Sequence, residues 1–168
     1  MNIPKIKTSL DLSFTQIAWV VKDINATIRF YEDAMGINNF SKVQTIRVKD
    51  FESTYYGNPS DAESLVSIAC SGGTFIELIQ PISGNSIFQD YIDKNPEGGI
   101  QHVAYSVPID KLDKVISEFS DNGFPVISYF NTPIAKIVFF DTSNTIGVMT
   151  EIMGITKEGE AQVEMMKK

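Results

Sequence analysis

Hydrophobic and polar positions along the chain fall into blocks whose period switches between that of a strand and that of a helix. Residues 14–21 (FTQIAWVV) are dense in β-branched and aromatic side chains and predict a strand. Asp23, a residue type that caps helix N-termini, precedes INATIRFYEDAMG. There Ile24, Ile28, Tyr31 and Met35 recur at helical spacing, and Gly36 supplies a left-handed stop. Residues 41–49 alternate as a strand, and YYGNPSD (55–61) reads as a turn. Residues 65–70 and 74–80 are short apolar strands on either side of Ser71-Gly72-Gly73, a hairpin signal.

The same order then returns. IQHVAYSV (100–107) predicts a strand, and Asp110 precedes a helix whose Leu112, Val115, Ile116 and Phe119 form one stripe ended by Gly123. Strands are expected over 124–129, 135–140 and 146–153, with 141–145 as the turn between the last two. The chain thus repeats itself internally over about 50 to 60 residues. Setting Gln16 against His102 aligns Ala18 with Ala104, Trp19 with Tyr105 and Val21 with Val107. At the far end FIELI (75–79) matches MTEIM (149–153), so Glu77 pairs with Glu151. The fold class expected is α+β, with two tandem βαβββ modules forming a cupped mixed sheet around a central cleft. In this division, residues 1–13 are an N-terminal extension and 14–154 a single domain. The domain comprises module one (14–80), a linker (81–99) with a short helix capped by Ser86, and module two (100–154). The polar residues 155–168 are expected to be a frayed helix or a disordered tail.

Composition narrows the chemistry. With 168 residues and 43% hydrophobic content, one domain can bury a core without disulfide or metal staples. The net charge of −7 argues against nucleic acid as a partner. One cysteine, Cys70, excludes a disulfide within the chain and any thiolate cluster, and one histidine, His102, excludes a two-histidine metal site. No run approaches the roughly 20 apolar residues of a membrane-spanning helix. The first residues lack the apolar stretch of a signal peptide, so a reducing, cytoplasmic location without membrane contact is expected.

Four residues are polar within otherwise apolar strands: Gln16, Glu77, His102 and Glu151. Carboxylates in such places are costly unless paired or bound to a metal. Each alone reads as an ordinary hydrogen-bonding or solvent-facing residue. Together they occupy repeat-equivalent positions, and a pseudo-twofold axis would aim all four at one point. One imidazole nitrogen, one amide oxygen and two carboxylates suit a divalent cation with positions left for water or substrate. Glu77 shares its strand face with Phe75 and Ile79, and Glu151 shares one with Met149 and Met153. Phe75, Met149 and Met153 are thereby candidate substrate-pocket residues. Asp61 and Glu63 precede a strand and are candidates to reach over the mouth of the cup.

These motifs resemble the vicinal oxygen chelate superfamily, which includes glyoxalase I, methylmalonyl-CoA epimerase, extradiol dioxygenases and antibiotic-resistance proteins. QIAWVVKDINATIRFYEDAMGI looks like the family's opening module, FIELIQP and GGIQHVAYSV are similar to the epimerases, and GVMTEIM matches the terminal ligand strand. The resemblance implies Gln16, Glu77, His102 and Glu151 as ligands of one divalent ion, among Zn, Ni, Co, Mn and Mg. That ligand set looks like glyoxalase I, while the surrounding sequence is nearer the epimerases. The lone histidine sets the extradiol dioxygenases and the two-histidine resistance enzymes aside. The implied reaction is proton abstraction next to the carbonyl of a small carbonyl or thioester substrate, the metal stabilising the enediolate. Glu151 is the first candidate for base and Glu77 its partner, with Glu63 or Asp61 similar to the extra glutamate of epimerases. A homodimer is the expected assembly. The alternative is a protein that binds a drug or aromatic metabolite in the same cleft without turnover.

Overall fold

The computed structural model describes residues 9–167. The elements run β1 (Ser13–Val20), α1 (Ile24–Met35), β2 (Gln44–Arg47), β3 (Glu52–Tyr55), β4 (Glu63–Ser71), β5 (Thr74–Ser83) and α2 (Ile87–Lys94). They continue as β6 (Gly99–Pro108), α3 (Leu112–Asp121), β7 (Val126–Asn131), β8 (Ala135–Phe140), α4 (Ser143–Ile146), β9 (Met149–Ile155) and α5 (Lys157–Met166). The strands form one mixed sheet in the order β2-β4-β5-β1-β6-β9-β8-β7-β3. β2 and β3 lie at its opposite edges yet are joined by only residues 48–51. Five peptide steps from Arg47 to Glu52 reach at most about 18 Å. The sheet therefore curls until its edges nearly meet, and a half-barrel with an interior results.

The two modules meet at β1 and β6, which pair antiparallel with Gln16 opposite Ala104 and Ala18 opposite His102. β1 takes β5 on its other side in parallel, Ala18 beside Glu77. β6 takes β9 in the same way, Ala104 beside Glu151. The register is thus the same in both halves, as the sequence repeat requires.

Local chemistry accounts for most elements. Asp23 accepts a hydrogen bond from the Ala26 N–H at 2.9 Å and starts α1, and Gly36 ends it at φ 69°. Helix α1 buries Ile24 against Leu78 and Val21 on the outer face of module one. Helix α3 does the same in module two, with Leu112 and Val115 against Val107, Phe140 and Ile152. Leu10, within the expected N-terminal extension, is buried in that second core. Residues 1–8 of the extension lie outside the described residues.

The structure departs from the sequence expectations in four places. The strand expected over 41–49 is only Gln44–Arg47, because Val48–Asp50 tighten into a 3-10 turn that reverses the chain. Tyr55 belongs not to a turn but to β3, which leaves its own module and pairs with β7 across the barrel. Residues 143–146 coil into α4, which takes the end of the expected turn and the first residue of the strand expected over 146–153, so that β9 begins only at Met149. The C-terminal residues form a seated helix: Thr156 accepts from the Gly159 N–H at 3.2 Å. Gly159 lies so close to the Ile134 carbonyl that a Cβ would come within 2.5 Å of it. Helix α5 docks on the β7–β8 loop through that glycine, a close approach the polar composition hid.

Candidate metal centre

On the inner face of the sheet, β5, β1, β6 and β9 each bring one polar side chain to the middle. The positions beside them in register are Ala18 and Ala104, both fully buried. Their small side chains form a floor over which the longer ones converge. Gln16 Nε2 donates to Glu77 Oε2 at 2.9 Å and to Glu151 Oε2 at 3.0 Å. His102 Nε2 stands 2.8 Å from Glu151 Oε2, 3.4 Å from Glu77 Oε2 and 3.5 Å from Gln16 Nε2. His102 is 0% exposed, Glu151 3% and Gln16 6%.

The imidazole is clamped from behind. Its Nδ1–H donates to Gln101 Oε1 at 2.6 Å, and an amide oxygen only accepts, so in the neutral ring Nε2 keeps its lone pair toward the centre. Gln101 is itself buried, its Nε2 3.0 Å from the Met149 sulfur. Phe139 packs edge-on to the imidazole at 5.2 Å between centroids, and Phe88 of α2 lies at 6.1 Å. Burial alone would pull the His102 pKa down; hydrogen bonds to Glu151 and Glu77 outweigh it and lift it to about 9. Burial pushes the Glu151 carboxyl up, against the lowering effect of His102. The direction that follows from both is that the metal-free cluster holds a proton between His102 and Glu151 at neutral pH.

The donor set fits a divalent cation. Ligand atoms of Glu77, His102 and Glu151 lie within 4.8 Å of one another. Adjacent ligands of an octahedral ion at about 2.1 Å are about 3 Å apart, which matches the 2.8–3.5 Å separations here. Turning the Gln16 amide over puts Oε1 where Nε2 stands, a choice that hydrogen bonding alone decides. One buried and one partly buried carboxylate beside one imidazole leave a negative excess that a 2+ ion would neutralise.

All four residues expected as ligands are thus brought together, and within one chain. Of the expected pocket residues, Phe75 and Met153 line a cavity of about 120 Å³ that reaches Gln16. Met149 lies on the opposite side, beside Gln101. Glu63 is not among the converging groups: it stands at the start of β4 and pairs with Arg47 of β2 at 3.1 Å. Gln101, Phe88 and the α5 residues were not singled out in the sequence. Gln101 carried a usable signal, being a second polar residue beside His102 in an apolar strand. Phe88 and α5 carried none, because only the curl of the sheet brings them over the cluster.

Comparison with known proteins agrees with this fold. The sequence matches none of the curated proteins. Among solved structures, methylmalonyl-CoA epimerase from Mycobacterium tuberculosis superposes with a TM-score of 0.63 at 20% identity, over 94% of this chain and 97% of that one. A variant of Streptomyces coelicolor methylmalonyl-CoA epimerase in complex with 2-nitronate-propionyl-CoA gives 0.59 at 22% identity, over 87% and 95%. A hypothetical protein from Bacillus halodurans C-125 gives 0.55 at 22%, over 88% and 95%. These likenesses speak to the fold. The family model described as the Glyoxalase/Bleomycin resistance protein/Dioxygenase superfamily matches residues 15–140, three of the four converging side chains included, and the chain belongs to that superfamily.

Proposed function

We propose that this protein is a divalent-metal-dependent isomerase or lyase that moves a proton on the carbon next to a carbonyl, in the manner of methylmalonyl-CoA epimerase or glyoxalase I. The observation that carries the reading is the convergence of Gln16, Glu77, His102 and Glu151 in one buried cluster. A cation held there would draw electron density from a carbonyl oxygen and acidify the neighbouring C–H. The side chains supply the rest. Glu77 and Glu151 approach from β5 and β9, on opposite sides of the β1–β6 pair. Glu151, the more buried carboxylate, is the base: the proton joins a Glu151 oxygen, the C–H electron pair becomes the C=C bond of the enolate, and the carbonyl π pair moves onto the oxygen. Inversion requires Glu77 to enter the step as the carboxylic acid: it gives its own proton to the opposite face of the carbon and is left as the carboxylate while Glu151 keeps the abstracted proton, whereas return of that proton from Glu151 to the adjacent carbon isomerises the substrate. Gln16 and His102 take no proton in this scheme; Gln101 keeps the imidazole oriented. Burial of the cluster keeps bulk water from quenching the enolate.

The substrate is a small carbonyl compound or thioester, and the homodimer and cytoplasmic location expected from the sequence remain part of the proposal. Because all four groups come from one chain, the site needs no second copy. Among the described residues no helix is long and apolar enough to cross a membrane. The test is metal analysis of the purified protein, followed by assays of acyl-CoA epimerisation against hemithioacetal isomerisation. One divalent ion per chain and turnover in either assay, lost in Glu151→Gln, supports the proposal. A protein that takes up no divalent ion and binds an aromatic ligand equally well as Glu151→Gln is a binding protein, and the catalytic reading falls.

A further inference from the structure

The pseudo-twofold axis makes the two ends of the inner face comparable, and they are filled differently. The rotation that takes Gln16 to His102 also takes Phe75 to Met149 and Met153 to Ile79. At the His102 end, Phe88 of α2 packs on Ala18, Val20 and Ile79 and against the imidazole, and leaves only a cavity of about 50 Å³ between itself, Phe139 and Tyr129. At the Gln16 end the described residues include no such plug. Phe75, Ile68, Met153 and Ile155 instead surround a cavity of about 120 Å³, walled on the outside by Val163 and Met166 of α5. Among the described residues Thr15 and Gln16 supply its only polar side chains, and the Thr15 hydroxyl is already donated to the Ala104 carbonyl at 3.0 Å. No cationic residue among the described ones lines it.

We infer that this cavity is the subsite for an apolar substituent on the substrate's reactive carbon, and that α5 sets how large that substituent is. The inference rests on the metal-centre reading above and adds the substrate class. A group seated there lies beside Gln16 while the substrate's oxygens face the centre. A cavity of about 150 Å³ holds a benzene ring, so the space here takes a branched group of about four carbons. A charged substituent would lose its water without gaining a partner. The class selected is therefore carbonyl compounds with a short, branched alkyl group next to the reacting centre, over those with a methyl or a carboxymethyl group there.

The test is calorimetric titration of the Zn²⁺-loaded full chain with 2-oxo acids of graded side chain: pyruvate, 2-oxobutyrate, 4-methyl-2-oxopentanoate and, as the charged control, oxaloacetate. Affinity is expected to rise about fourfold per added carbon up to the branched acid, and oxaloacetate to bind no better than pyruvate. Val163→Phe fills the cavity and removes the rise. Met166→Ala, at a half-exposed position that tolerates truncation, shifts the optimum to a longer chain and keeps the test available if the first variant does not fold. A flat series in the Zn²⁺-loaded wild type, or the same series in wild type and variants, overturns the inference and leaves the metal reading standing. Failure to take up any of Zn²⁺, Ni²⁺, Co²⁺, Mn²⁺ and Mg²⁺ overturns both.

Discussion

Module one and module two are built on the same register, yet they hold their share of the site differently. Module two presents His102 and Glu151 in contact at 2.8 Å, with the imidazole braced from behind by Gln101. Module one presents Gln16 and Glu77, and the Glu77 side chain is 15% exposed against 5% for Glu151. The residue equivalent to Gln101 is Thr15, whose hydroxyl goes to the Ala104 backbone and leaves Gln16 without a brace from behind. The scaffold is symmetric, and the two halves differ in how their polar groups are held: the module-two imidazole is braced by a neighbouring side chain and the module-one amide is not.

That comparison breaks most decisively at the ligands themselves. Removing the module-two imidazole by His102→Ala is expected to weaken divalent-ion binding on the order of a thousandfold, and Gln16→Ala by about tenfold; competition with a chelating dye reads both. Equal losses would mean that the modules contribute alike. Turnover should show the same skew, with kcat falling about 10⁴-fold in Glu151→Gln and less in Glu77→Gln. A larger loss in Glu77→Gln would move the base to module one.

The brace comes next. Gln101→Leu keeps the bulk but leaves the imidazole Nδ1–H unpaired, and metal affinity is expected to drop about 10–100-fold. Gln101→Glu should restore much of it, since a carboxylate also accepts that hydrogen bond.

Protonation sharpens the picture without mutation. The His102 pKa in the folded, metal-free chain is raised from 6.5 to about 9. A raised pKa means that the folded state binds the proton more tightly than the unfolded one. The stability this contributes is fully present below pH 6.5 and is lost as pH rises through about 9. Thermal melts of the chelated protein should fall across that window. The metal-loaded protein should not follow, because a cation replaces the proton, and its affinity should rise with pH.

The smallest effect lies at the helix starts. Asp23→Ala should cost about 1 kcal/mol through the lost cap of α1. Asp110→Ala should cost little, because α3 begins from a 3-10 turn with no side-chain cap. Equal effects in chemical denaturation would mean that α1 does not depend on its cap.

The strands and helices were legible where their signals are local. Caps at Asp23 and Gly36, the Gly72-Gly73 hairpin and the apolar stripes of α1 and α3 act within a few residues, so the chain carries them openly. β3 was not legible: Glu-Ser-Thr-Tyr is a short polar stretch whose partner, β7, lies some seventy residues away. Helix α5 was misjudged for a related reason. Its polar composition describes the solvent face, while its docking depends on one glycine against the Ile134 carbonyl. The polar cluster was readable because burying a carboxylate costs energy wherever the strand goes, so Glu77 and Glu151 stood out against apolar neighbours. That they share a centre was readable only through the repeat.

By itself, then, the order of residues determined two equivalent halves, the faces of their strands and the four polar groups too costly to bury without a common partner. Tertiary structure alone decided that β3 would close the barrel from the far edge. It also decided that Phe88 would plug one end of the inner face and α5 wall the other. Those outcomes depend on contacts between residues far apart in sequence, whose energies exist only once the sheet has curled.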